Sequence, residues 1–187
     1  DVTGVQTCAL PILTVYLGTR RVDIMHLGRA HTAGDAVIWV PDQEVMFTGD
    51  IVEYRSACYC GDGHFADWGE TLDNIAAFDA ASIAPGRGDA LLGLDKVRAA
   101  IQSTRNFVAD TYRPAARVAA RGGSLKDAWD AVRAECDPKY KDYAIYEHCL
   151  PFNVARAYDE AQGIDTPRIW TAQRDLDMWE ALHSGAR

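Results

Sequence analysis

Twenty residues, HTAGDAVIWVPDQEVMFTGD from His31 to Asp50, limit what this chain can fold into more than any other stretch. Two apolar, β-branched runs, AVIWV and EVMFT, flank a Pro41–Asp42 turn, which reads as a strand hairpin. A histidine stands on the loop before the first strand, and an aspartate follows the second strand after Gly49. An imidazole and a carboxylate brought to the same edge of a sheet suit Zn2+, whose bonds to such donors are about 2.0–2.2 Å. Other first-row metals accept the same pair. Gly34 and Gly49 permit the tight turns that bring loop ligands together. Asp35, four residues past His31, is placed to accept a hydrogen bond behind the histidine or to cap a turn.

Upstream of this stretch, TVYLG and RVDIMHLG are further β-like runs ended by glycine. The runs are apolar on both sides, as in a sheet covered on each face. Downstream, Trp68, Leu72, Ile75 and Phe78 recur at helical spacing, which predicts a helix over Asp67 to Phe78. SIAPGRG reads as a last short strand entering a proline-glycine loop. After about Leu92 no β-like run remains. Leu94, Val97, Ile101 and Val108 share one helical face. Ser124 and Asp127 offer a capping box to a second helix. A third spans roughly Tyr143 to Gln162, with a kink or break expected at Pro151. Thr171 caps a last helix that is expected to bury Leu176, Trp179 and Leu182. The order of hairpin, helix, strand and helices is that of an α/β layered domain, residues 1–92, with a helical extension over 93–187.

The succession GRAHTAGD, strand, FTGD, helix, APGRG resembles the second half of a metallo-β-lactamase fold, over about Thr14 to Gly88. The resemblance implies an αββα sandwich of which this chain holds the second half, followed by an all-helical appendage. It implies that His31 is a metal ligand, and that Asp50 is a bridging or sole carboxylate ligand that also orients the attacking water. It further implies a metal-dependent hydrolase acting on an ester, thioester, amide or phosphoester, with one or two Zn2+ ions as cofactor.

Two departures from the family pattern bear on that expectation. No two histidines lie two residues apart, so the HxHxDH box of the family is absent, and the chain is expected to be inactive alone with an exposed apolar sheet face. Secondly, Arg87 stands where the family carries histidine in a PGHG-like loop. A guanidinium has no lone pair to give a cation. Either the site holds one metal, or another residue fills in, or Arg87 binds an anionic substrate group through its planar fork; an ion pair, for instance with Asp89, is the structural alternative. The ligand set that remains also resembles that of the mononuclear iron dioxygenases of this fold, with Fe2+ in place of zinc. A non-catalytic binding or assembly module is the third reading.

Cys58, Cys60 and His64 form a C-x-C-x3-H cluster without an evident fourth ligand, so pocket lining by Tyr59, Asp62 or His64 is the more useful expectation. His148 lies with Asn153 and Arg156 near the Pro151 kink, from where it is a candidate substrate contact. Composition sets the remaining bounds. A net charge of −8, from 19 basic and 27 acidic residues without a basic run, argues against nucleic acid as a partner and leaves a small-molecule substrate. No apolar stretch has the length of a membrane span. Five cysteines at irregular spacing argue for a reducing, cytoplasmic compartment rather than a disulfide framework. The helical extension is expected to serve as a substrate lid or as the surface of a homo-oligomer. The first thirteen residues, DVTGVQTCALPIL, lack an initiator methionine and resemble a translated adapter sequence, or else a strand remnant around Cys8 to Leu13.

Overall fold

A computed structural model of the chain describes residues 13–183. The expectations about residues 1–12 lie outside the described residues. The apolar runs become strands β1 (Leu13–Leu17), β2 (Arg20–Met25), β3 (Val37–Val40), β4 (Val45–Glu53), β5 (Ser82–Arg87) and a two-residue β6 (Leu91–Leu92). They hydrogen-bond in sequence order as one six-stranded sheet. Every neighbouring pair is antiparallel except β4 and β5, which run parallel. A parallel pair needs a crossover, and helix α1 (Phe65–Ala76) supplies it. The β3–β4 hairpin closes through a single 3-10 turn, Pro41–Gln43, with Glu44 in the left-handed region at φ 50°.

Helices α2 (Leu94–Ala120), α3 (Leu125–Tyr140), α4 (Tyr146–Ala161) and α5 (Ala172–His183) follow. The Ser124–Asp127 capping box forms as the spacing predicts, and the Thr171 hydroxyl accepts from Arg174 N at the start of α5. Pro151 does not break its segment into two helices: α4 runs through it. The carbonyl that the missing N–H leaves unbonded belongs to Glu147, an exposed residue whose backbone water can satisfy. In α5 the buried stripe is Met178 and Leu182, one turn apart, while Leu176 and Trp179 are more than half exposed. That corrects the expected face, and Trp179 stacks instead on His183 at the helix end.

Strand alternation sorts the sheet into two faces. Met25, Val37, Met46, Ile83 and Leu91 point to one side, where Trp68, Leu72 and Ile75 of α1 and Val97, Ala100 and Ile101 of α2 cover them. The same buried cluster continues without interruption through Phe107 and Val118 of α2, Val132 of α3 and Leu150 and Val154 of α4. Sheet and helices therefore share one core. On the other face, Leu13, Ile24, Ile38, Phe47 and Ala84 pair in register across five strands. Leu13, Ile38 and Phe47 are 53%, 39% and 45% exposed, so this side of the sheet is open. The two-sided apolar pattern of the strands is thus matched by helical cover on one face only among the described residues.

Candidate metal centre

The loop between β2 and β3 carries His31, and α1 holds that loop from one side. Asn74 Nδ2 donates to Leu27 O at 2.8 Å, Thr71 Oγ1 to Arg29 O at 2.7 Å, and His64 N to Ala30 O at 2.8 Å. The approach is close enough to require glycine at 28: its φ is +137°, and a Cβ there would meet Thr71 Oγ1 at 2.3 Å. Behind His31, the Asp35 carboxylate accepts from Thr32 N at 2.9 Å and Thr32 Oγ1 at 2.6 Å, which fixes the turn. The His31 ring lies edge-on to buried Trp68, with centroids 6.3 Å apart. Trp68 Nε1 in turn donates to Ile51 O at 3.0 Å. One indole therefore packs on the histidine and bonds to the backbone next to Asp50.

Asp50 sits inside β4 rather than beyond its end, where the β4–β5 register shifts between Phe47 and Gly49 and again between Gly49 and Glu53. Gly49 takes φ 53° within this irregularity. Such a bulge turns a side chain out of the regular alternation. The result brings Asp50 Oδ2 to 3.8 Å from His31 Nε2, with the two side chains 38% and 17% exposed. Two donors of one tetrahedral zinc stand roughly 3.3 Å apart, given bonds of about 2.0–2.1 Å. A small adjustment of either side chain reaches that spacing, so the pair fits half of a metal site. Among the described residues, no group of three or more histidine, cysteine or acidic side chains is assembled to hold an ion.

Glu53, three residues on, was not singled out in the sequence. Its side chain is fully buried, and its Oε1 accepts from Arg87 Nη1 at 2.8 Å. Burial, with a smaller contribution from Asp50, pushes its carboxyl up to about 7 against the pull of Arg87. Thr104 of α2 bonds both its N–H and its carbonyl. Arg87 thus pairs with Glu53 rather than Asp89. Its Nε and Nη2 have no hydrogen-bond partner among the described residues, and 42% of its side chain remains exposed.

His64, immediately before α1, is buried; burial pulls its pKa down and its Nδ1 lacks a partner. Cys58 and Cys60 are buried free thiols, whose pKa values burial raises, and Asn153 bonds the backbone of both. His148 is exposed on α4. A row of rings connects it to the centre: His148 to Phe152 at 6.1 Å, Phe152 to Tyr59 at 5.7 Å, and Tyr59 to His31 at 6.2 Å. Arg156 and Glu160, of which no sequence motif marks Glu160, hold this side together. Glu160 accepts from Phe65 N and Ala66 N at the start of α1, and pairs with fully buried Arg156, whose Nε donates to Gly63 O.

Comparison with known proteins follows the same lines. The sequence profile of the metallo-beta-lactamase superfamily matches residues 10–87. A curated relative, the metallo-beta-lactamase type 2 of Bacteroides fragilis, is 29% identical over 107 residues, covering 54% of this chain and 43% of that protein. The chain therefore spans less than half the length of that relative. Among solved structures, the metallo-beta-lactamase from Pontibacter korlensis is similar at a TM-score of 0.46 and 18% identity, covering 54% of this chain and 46% of its own. Metallo-beta-lactamase IND-7 is similar at 0.45 and 23% identity, covering 53% and 45%. His31, Asp50 and Arg87 all lie within residues 10–87, the stretch that matches the metallo-beta-lactamase superfamily, and the chain corresponds to only part of that family's domain.

Proposed function

We propose that His31 and Asp50 are two ligands of the metal centre of a metal-dependent hydrolase, acting on an ester, thioester, amide or phosphoester. The observation that carries this reading is the 3.8 Å approach of His31 Nε2 to Asp50 Oδ2, made by a loop pinned to α1 and a strand bulged at Gly49. Zinc is the ion that the donor set and the family favour, and it supplies Lewis acidity to such a site. The residues of this chain do the rest. Asp50 has a second carboxylate oxygen with which to orient the attacking water. Trp68 keeps the inner side of His31 dry, and Tyr59 closes its flank. The row through Phe152 to His148 extends from the centre along α4, which makes that helix the natural wall for a small-molecule substrate.

Two donors are fewer than the three protein ligands that a catalytic zinc takes. The 187-residue chain alone is therefore expected to turn over no substrate, the remaining donors coming from outside it. Arg87, committed to Glu53, adds no third donor, which suits a site with one metal and keeps the iron dioxygenase reading in play. The test is a gene product that joins this chain to a segment bearing a histidine-rich metal box. Zinc-dependent hydrolysis of 4-nitrophenyl acetate or bis(4-nitrophenyl) phosphate, lost on His31→Ala, is the expected result. Iron in the purified protein together with oxygen consumption would replace hydrolysis by dioxygenation; a metal-free, inactive product would reject both.

A further inference from the structure

We propose that Arg87 is a substrate-orienting residue, and that the substrate carries an oxyanion, of carboxylate or phosphate type, that Arg87 receives together with Arg55. Both arginines line a cavity of about 210 Å3 with Tyr54, Ser56 and Ile145. Asp89 also lines the cavity and Glu53 pairs with Arg87, so Arg55 is the guanidinium there without an ion pair among the described residues. Arg55 is thus a cation left to attract an anion into the cavity, where the free edge of the Arg87 fork also lies.

The geometry of Arg87 suits it to this role. Its Nη1 is held from below at 2.8 Å by Glu53, whose side chain is fully buried and whose backbone Thr104 clamps from α2. Its carbonyl accepts from Tyr54 N at 3.0 Å. The fork is therefore fixed, while its Nε and Nη2 hydrogens have no partner among the described residues and 42% of the side chain is open to solvent. A guanidinium so fixed binds a planar or tetrahedral oxyanion through paired N–H bonds at little cost in side-chain ordering. Arg55 stands over the Tyr54 ring with its guanidinium carbon 5.5 Å from the centroid, and makes no ion pair among the described residues. Gly86, the residue before Arg87, touches Asp50, since a Cβ on it would lie 2.1 Å from Asp50 Oδ1. The backbone that leads into Arg87 therefore adjoins Asp50, and the Asp50 carboxylate acts electrostatically on the Arg87 guanidinium. Glu53 is a positioning residue that acts through Arg87.

The proposal rests on the metal-site reading for the reaction beside it but not for the anion affinity, which is measured without metal. The metal-free 187-residue chain is titrated calorimetrically with inorganic phosphate and, separately, with acetate. One-site binding of at least one of them is expected, which also tells a phosphate from a carboxylate preference. Arg87→Met should weaken it at least tenfold, Arg87→Lys less, and Arg98→Met, an exposed arginine of α2 with the same charge change, not at all. If Arg87→Met unfolds because Glu53 is left buried without its partner, the double variant Glu53→Gln/Arg87→Met removes that charge and must show the same loss. No saturable binding to the unsubstituted chain, or equal affinities in the Arg87→Met and Arg98→Met variants, overturns the proposal. In the protein joined to a histidine-rich metal box, zinc affinity that depends on His31 while phosphate is ignored defeats this inference alone; phosphate binding without zinc affinity there defeats the metal reading alone.

Discussion

Gly86 bears on the candidate centre through the side chain it lacks. A methyl group there would meet Asp50 Oδ1 at 2.1 Å and the backbone of Gly49 and Asp50 at 2.7–2.8 Å. Gly86→Ala must therefore move a carboxylate and two strands of backbone. The expected outcome is a loss of about 1–3 kcal/mol of stability by denaturant unfolding, together with at least tenfold weaker metal binding. Glu53 makes a second prediction at this scale. Its carboxyl titrates near 7 when folded against an ordinary value of 4.5, so the folded state binds the extra proton in that interval. Its contribution is fully present below about pH 4.5 and lost as pH rises through about 7, a difference of about 3 kcal/mol. Glu53→Gln should flatten the fall of stability between these pH values, measured by urea unfolding at several pH values, and should leave the chain no less stable than the parent at pH 8. His31 and Asp50 were legible as a pair because each lies in a patterned stretch, HTAGD and FTGD. Glu53 was not: in IVEYRS it looks like an ordinary strand-end glutamate, and its burial comes from Thr104, 51 residues away.

Helix α1 shows the same limit one level up. Its apolar periodicity is plain in the sequence, but its start falls at Phe65 rather than Asp67. The reason is a cap from 95 residues downstream: Glu160 takes the Phe65 and Ala66 amides that no intrahelical carbonyl can take. Glu160 also neutralises Arg156, whose side chain has no exposure, while Arg156 ties Gly63 to Ile164 and Asp165. Glu160→Ala would uncap α1 and leave that guanidinium without its counter-charge, at a cost of about 3–5 kcal/mol. Because α1 pins the His31 loop, hydrogen exchange should quicken in residues 27–35 as well as in the first turn of α1. Unchanged exchange in the loop would mean that α1 does not hold it. The turns and caps that use neighbouring residues, Ser124 with Asp127 and Thr171 with Arg174, were readable in advance because both partners lie within four residues.

For the whole molecule, the sequence marks a change of class near Leu92, yet the buried cluster runs from the sheet into α2, α3 and α4 without a break. Periodicity reports which residues are buried, not which element covers them. The uncovered sheet face, with Ile38 and Phe47 at its centre, predicts self-association and binding of the dye ANS by the isolated chain. Ile38→Lys with Phe47→Glu should lower both, as read by light scattering and dye fluorescence, with the helical circular dichroism retained. The central claim concerns His31 and Asp50, and zinc titration tests it most directly. Calorimetry or chelator competition on the protein that joins this chain to a histidine-rich metal box, and on its His31→Ala and Asp50→Ala variants, should show bound zinc whose affinity falls at least tenfold with either substitution. Zinc affinity that is the same in all three would contradict the account.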